Sequence, residues 1–114
     1  QRQFYAAFNP GAIKQSMPEY YFKIGEALID KGGKAKELLV NCPEAKKYQQ
    51  KFQSKKHLIK ILPKGVSFSS DIIICETRLY MISYSENNIS ATEIINNSLA
   101  LTQRVLFEEL WKRI

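Results

Sequence analysis

A run of three isoleucines within residues 71–75 (DIIIC) constrains the fold of this chain more than any other feature of its sequence. A strand with one solvated face alternates apolar and polar residues, and this run does not alternate. We therefore expect a strand with both faces buried, in a sheet that helices cover on both sides. Only three residues separate it from the next apolar run, residues 79–84, and this spacing predicts a β-hairpin.

The other apolar runs predict further strands and helices on either side of this hairpin. The remaining strands are predicted at residues 3–9, 37–40, 58–62 and 92–95. Helices are predicted from Pro18 to the glycines at 32–33, from Pro43 to Gln53, and along residues 99–114. Asn9, Pro10 and Gly11 read as a turn, and Asn96, Asn97 or Ser98 can cap the last helix. We expect the large apolar side chains of that helix, including Leu110 and Trp111, to pack on the sheet as core.

The length of 114 residues predicts a single domain over residues 1–114, in the order βαβα-β-β-β-β-α. No apolar run approaches the roughly 20 residues that cross a bilayer, so we expect neither a transmembrane helix nor a membrane partner. Two cysteines, Cys42 and Cys75, are too few for a disulfide scaffold and favour a reducing, cytoplasmic location. Because the chain begins at Gln1, we expect it to be a fragment of a longer protein.

The net charge of +6 is concentrated in one segment, residues 45–70, which holds seven lysines and no acidic residue. The rest of the chain has ten basic and eleven acidic residues. Lysines along a helix and its following loop are usually a solvated surface, although such a patch can also attract phosphates. The sequence thus leaves open a nucleic-acid-binding module that uses Lys47, Lys51, Lys55 and Lys56.

Most catalytic and metal-binding templates lack the residues they need in this chain. His57 is the only histidine, has no carboxylate within four residues, and reads as an ordinary surface residue. One histidine and two cysteines that lie 33 residues apart do not fit the spacing of a zinc site. No glycine-rich phosphate loop precedes a helix. The sequence therefore predicts no catalytic residue, no metal site and no cofactor.

Several segments together resemble the effector domain of TrmB-like transcriptional regulators. The similarity is most specific in the second half of the chain, where the matching segments are residues 61–65 (ILPKG), 70–74 (SDIII), 79–84 (LYMISY) and 102–111 (TQRVLFEELW). The resemblance implies one half of a phospholipase D-like fold, with a mixed, mostly parallel sheet flanked by helices. It also implies a non-enzymatic domain that senses a small-molecule effector such as a sugar. It further implies a homodimer and DNA binding through an N-terminal winged helix-turn-helix, and we expect that part to be missing from this fragment.

Phospholipase D-like enzymes use a histidine, a lysine and an aspartate spaced as His-x-Lys-x-x-x-x-Asp. The corresponding residues here are Ser69, Asp71 and Glu76. The histidine is missing, and an anion replaces the lysine that would hold the phosphate. We therefore expect no phosphodiesterase activity of this type.

If the fold resembles that family, a ligand should bind beyond the carboxyl ends of the parallel strands. The candidate residues there are Asn9, Asn41, Lys64 and Asp71. Amide and carboxylate groups suit the hydroxyls of a sugar or another polyol. A structural alternative for both asparagines is a turn or helix-cap role.

Overall fold

The computed structural model describes residues 3–20, 23, 26–27, 32–85 and 88–114. Within these residues one six-stranded sheet and three α-helices give the expected α/β class. The strands are β1 (Gln3–Phe8), β2 (Lys34–Leu39), β3 (His57–Ile61), β4 (Ser70–Ile74), β5 (Arg78–Ser85) and β6 (Asn88–Ile95). The helices are α1 (Pro10–Ser16), α2 (Pro43–Phe52) and α3 (Asn97–Lys112), and a 3₁₀ turn spans Pro18–Tyr20. No helix among the described residues is long and apolar enough to cross a membrane.

The sheet is mixed, with the strand order β3-β2-β1-β4-β5-β6. Strands β1, β2 and β3 run parallel, and each of the other three pairs is antiparallel. The expectation of a mostly parallel sheet is therefore wrong. The segment between β3 and β4 is too short to return to the opposite end of the sheet, so β4 enters beside β1 in the reverse direction. The predicted β4–β5 hairpin is confirmed: Ile74 lies opposite Leu79, and the Cys75 N–H donates to the Arg78 carbonyl.

The first helix begins where a turn was expected. The Asn9 side chain accepts a hydrogen bond from the Ala12 N–H at 3.1 Å, and Pro10 occupies the first helical position, where it needs no N–H partner. The sequence Asn9-Pro10-Gly11 therefore starts α1. Most of the helix predicted from Pro18 to the glycines at 32–33 lies outside the described residues.

Buried side chains lie on both faces of the sheet, as the isoleucine run predicted. Under α1 and α2 the core contains Ala6, Phe8, Ile13, Leu39, Ala45, Tyr48, Phe52 and Ile59. Under α3 it contains Tyr5, Leu38, Leu62, Ile74, Phe107 and Trp111.

Helix α3 crosses the sheet from β6 to β3. It begins one residue after β6, where the Asn96 side chain accepts a hydrogen bond from the Leu99 N–H at 3.0 Å. At its other end Lys60 Nζ on β3 donates to the Trp111 and Ile114 carbonyls at 2.8 and 3.0 Å. The same ammonium lies 4.6 Å from the centroid of the Trp111 ring, within the range of a cation–π contact.

Candidate functional site

A cleft of about 570 Å³ opens at the carboxyl ends of β2 and β3. Its polar lining comes from Asn41, Lys46, Lys47, Gln50 and Lys64. Asn41 follows β2, the next three belong to α2, and Lys64 follows β3. Asn41 and Lys64 thus line one cavity, and it lies beyond the carboxyl ends of parallel strands, where a ligand site is expected.

The loop after β3 holds Lys64 at the rim of this cleft. The Val66 N–H donates to the Pro63 carbonyl at 3.2 Å and closes a tight turn. Gly65 has φ +90°, a conformation that a side chain strains by about 1–2 kcal/mol. Pro63 and Gly65 together therefore favour a turn that leaves the Lys64 side chain exposed.

The other wall of the cleft is the first half of α2. Cys42 occupies the N-cap position, and its side chain makes no capping hydrogen bond. Its thiol instead donates to the Val40 carbonyl at 3.4 Å. The first half of α2 also carries Lys46 and Lys47, both exposed, against the single acidic residue Glu44, so this wall has a net positive charge.

Asn9 lies next to this cleft but does not line it. Its Nδ2 donates to the Phe68 carbonyl at 3.0 Å, while its Oδ1 caps α1. Both ends of the amide therefore bond to the chain itself, as the helix-cap alternative expects. A Cβ at Gly11 would lie 3.4 Å from Asn9 Oδ1 and 3.7 Å from Cys42 Sγ, so the start of α1 packs closely against both residues.

Asp71 is buried on β4 and does not line the cleft. The Tyr84 hydroxyl donates to Asp71 Oδ2 at 2.8 Å. Burial raises the pKa of Asp71 to about 6, although hydrogen bonds from Tyr84 and the Asn9 backbone act to lower it. The four predicted ligand residues therefore fall into two pairs, Asn41 with Lys64 and Asn9 with Asp71.

The lysine-rich segment is divided among several surfaces. Lys47 and Lys51 lie one turn apart on the exposed side of α2, and Lys55 and Lys56 are exposed in the bend before β3, at the opposite end of the sheet from the cleft. Lys60 contacts α3 on the other face of the sheet. Only part of the segment therefore contributes charge to the cleft.

His57 is buried, and the expectation of a surface residue is wrong. Its Nε2 lies 2.7 Å from Glu37 Oε2, and the Tyr48 hydroxyl donates to Glu37 Oε1 at 3.0 Å. Burial and the Glu37 carboxylate raise the pKa of Tyr48. Glu37 is 20 positions from His57 in sequence, so only the pairing of β2 with β3 brings the two together.

The positions aligned with the phospholipase D motif do not converge. Ser69 immediately precedes β4 and Glu76 follows it, so the strand separates them by roughly 20 Å. Asp71 is buried between them. Among the described residues, no three histidine, cysteine, aspartate or glutamate side chains gather to hold a metal ion.

Comparisons with known proteins add no identification. No protein-family model matches this sequence, and neither a curated protein nor a solved structure matches it.

Proposed function

We propose that this domain binds a small anionic molecule in the lysine-lined cleft and acts as the sensing and dimerisation domain of a TrmB-like regulator. The observation that carries the proposal is the convergence of Asn41, Lys47 and Lys64 on one cavity. Two ammonium groups attract phosphate or carboxylate, and an amide can both donate to and accept from hydroxyls. A sugar phosphate combines these two chemistries, so we take it as the ligand class.

A binding role without catalysis suits the chemistry of the cleft. The side chains that line it include no carboxylate and no imidazole among the described residues. Carboxylates and imidazoles are the most frequent general acids and bases, and the residues aligned with the phospholipase D motif lie apart along β4. Ligand binding would instead favour one arrangement of two attached DNA-binding domains, through its different affinity for the alternatives. In the cytoplasm the thiols Cys42 and Cys75 would remain reduced, and neither forms a disulfide among the described residues.

Isothermal titration calorimetry with neutral sugars, sugar phosphates and inorganic phosphate tests the sensing role. We expect sugar phosphates to bind, with an affinity that falls as salt is added. Lys47→Ala or Lys64→Ala should each weaken binding about tenfold, because each removes a charged hydrogen-bond donor. Lys34→Ala is the matched control, since Lys34 is an exposed lysine at the opposite end of β2. Failure of every compound to bind, or equal losses in all three variants, would contradict this site.

Nucleic-acid binding is the second candidate, and the exposed pair Lys47 and Lys51 on α2 favours it. This function predicts affinity for duplex DNA that falls steeply with salt and is lost on charge reversal of Lys51, Lys55 and Lys56. Lys34→Glu is the control for a general loss of positive charge. Binding that survives the triple reversal would exclude this segment as the interface.

A further inference from the structure

Strand β6 is the last strand of the sheet, and no other strand among the described residues lies on its outer side. It pairs with β5 along its whole length in unbroken register, from Asn88 opposite Ser85 to Ile95 opposite Arg78. Seven of its eight residues are exposed. Natural sheets protect such an edge with a short strand, a bulge, a lysine or a proline, and β6 has none of these. The edge is therefore able to pair with a further strand.

The hydrogen bonds to β5 show which backbone groups of β6 point outward. The Asn96 N–H donates to the Thr77 carbonyl at 3.1 Å, and these two residues extend the β5–β6 register by one pair. Hydrogen-bonded and non-hydrogen-bonded pairs alternate along an antiparallel ladder, so the even-numbered residues of β6 bond to β5. The odd-numbered residues direct their N–H and C=O groups away from the sheet, and we call them the outward residues: Ile89, Ala91, Glu93 and Ile95.

The positions of the outward residues determine how β6 can pair with a second copy of itself. Two antiparallel copies exchange hydrogen bonds only where outward residues of both lie opposite each other. The register that pairs all of them sets Thr92 opposite Thr92 of the second copy, on a two-fold axis. Ile89 then lies opposite Ile95, and Ala91 lies opposite Glu93. This ladder contains about eight hydrogen bonds between the two strands.

The side chains in this register are compatible with one another. Ile89 and Ile95 are 48% and 63% exposed in the single chain, and each would contact the other across the interface. Glu93, the only charged residue of β6, lies opposite the small Ala91 and forms an ion pair with Arg78 at 3.5 Å. The next register in one direction would set the two Glu93 carboxylates opposite each other. The next register in the other direction would leave Ile95 beyond the end of the ladder.

The described elements leave this edge accessible to a second copy. Helix α3 begins after β6 but crosses the sheet towards β3, where Lys60 bonds to its last carbonyls. The lysine-rich segment lies on α2, β3 and their loops, and β3 is the edge strand opposite β6. Two copies that approach through β6 therefore keep their basic segments apart, which limits their electrostatic repulsion.

We propose that two copies of this chain pair through β6, antiparallel about a two-fold axis at Thr92, so that their sheets form one continuous sheet. This inference rests on the dimer in the proposed function and names its surface. Main-chain hydrogen bonds supply the affinity, as they do when a peptide adds a strand to a sheet edge, and the side chains of the outward residues set the register. Because the pairing uses the same edge of each copy, it closes at a dimer.

Disulfide trapping tests this register directly. Residues in a non-hydrogen-bonded antiparallel pair have Cα atoms about 4.5 Å apart, within the range of roughly 4.4–6.8 Å that a disulfide spans. Under mild oxidation Thr92→Cys should therefore form a covalent dimer. Ser90→Cys is the matched control, because Ser90 is exposed on the same face of β6 but lies opposite Ile94 of the second copy, which separates the two introduced thiols by roughly 14 Å along the strands. Equal cross-linking of the two variants, or none in Thr92→Cys, would overturn the proposed register.

Sedimentation equilibrium across the micromolar range gives an independent readout. Wild type should have the mass of a dimer, and Ala91→Pro should raise the dissociation constant at least about tenfold, because it removes an outward N–H from each copy. An edge strand tolerates proline where the N–H faces solvent, so the monomer should remain folded, which circular dichroism would establish. Ala91→Ser keeps the N–H and should keep the wild-type dissociation constant.

The two experiments together separate this inference from the proposed function. If wild type is dimeric but folded Ala91→Pro dimerises equally well and Thr92→Cys does not cross-link, another surface forms the dimer and only this inference fails. A monomeric wild type would overturn both the inference and the dimer in the proposed function, while the calorimetric test of the cleft would still stand.

Discussion

The two edge strands of the sheet differ in length, burial and charge. Strand β3 has five residues, is largely covered on the α2 face, and is surrounded by Lys55, Lys56, Lys60 and Lys64. Strand β6 has eight residues, of which seven are exposed, and its only charged residue is Glu93. Proteins commonly protect open edges with short strands, lysines or prolines. The β3 edge has such protection and the β6 edge does not.

The same difference divides the molecule into a half whose sheet is covered on both faces and an open half, in which the sheet edge is largely exposed. The parallel strands β1, β2 and β3 are covered by α1 and α2 on one face and by the end of α3 on the other. The open half contains β6 and the uncovered side of α3. The ligand cleft belongs to the first half, and we expect matched substitutions in the two halves to have different effects.

The largest contrast is expected between two glutamates. Glu37→Ala would leave the buried His57 Nε2 and Tyr48 hydroxyl without their partner and should lower the free energy of unfolding by about 3–5 kcal/mol. Glu93→Ala on β6 removes an exposed ion pair with Arg78 at 3.5 Å and should cost less than about 1 kcal/mol. Urea unfolding measures both values. Similar losses in the two variants would mean that the β3 edge is no more tightly packed than β6.

A pair of isoleucines gives the next contrast. Ile59 on β3 is 4% exposed and Ile95 on β6 is 63% exposed. Ile59→Ala should cost about 3 kcal/mol, because it removes buried methyl groups and leaves a cavity. Ile95→Ala should change stability by less than about 0.5 kcal/mol. Thermal unfolding at one protein concentration, low enough that the chain is monomeric, would compare them, and a large loss for Ile95→Ala would show that β6 is covered within the monomer.

The smallest expected effect concerns Asp71, which lies on β4 where the two halves meet. Its pKa rises from 3.8 to about 6 on folding, so between these pH values the folded protein retains a proton that the unfolded chain has released. The stability that this proton provides is present below about pH 4 and is lost as the pH rises through about 6. Relative to Asp71→Asn, wild type should therefore lose on the order of 2–3 kcal/mol between about pH 4 and pH 7. Glu93→Gln should instead keep the wild-type profile, and parallel profiles for wild type and Asp71→Asn would contradict the prediction.

Local sequence signals predicted most of the elements but not their directions. The apolar runs and the Pro43 start identified β1, α2 and the β4–β5 hairpin to within a residue or two. They also located α3, and one of its three candidate caps, Asn96, fills that role. The relative directions of the strands depended on where the segment after β3 enters the sheet, which composition does not encode. The start of α1 was missed because Pro10 suits both a turn and the first position of a helix.

Periodicity also overstated how much of α3 is core. The apolar positions from Leu99 to Ile114 read as one buried face, yet Leu99, Leu106 and Leu110 are about half exposed. An apolar residue at helical spacing can face the sheet or a partner, and the sequence does not distinguish them. The prediction of a core position is therefore wrong for Leu110 and confirmed for Phe107 and Trp111.

The candidate site was predictable only where a topological rule applied. The position of Asn41 and Lys64 after parallel strands predicts that they converge, and both line the cleft. Asn9 and Asp71 meet elsewhere, because a helix cap and a buried hydrogen bond take up their side chains. The partnership of His57 with Glu37 carried no sequence signal, since it depends on the register between two strands.

The attachment of α3 at both of its ends gives the sheet a mechanical property. Asn96 links it covalently to β6, and Lys60 binds its last carbonyls from β3, so the helix is a diagonal brace between the two outermost strands. A change in sheet twist alters the distance between those strands and must therefore shift the brace. Lys64, which lines the cleft, lies four residues beyond Lys60. A backbone shift at the cleft is therefore connected through Lys60 and α3 to β6, at the opposite edge of the sheet.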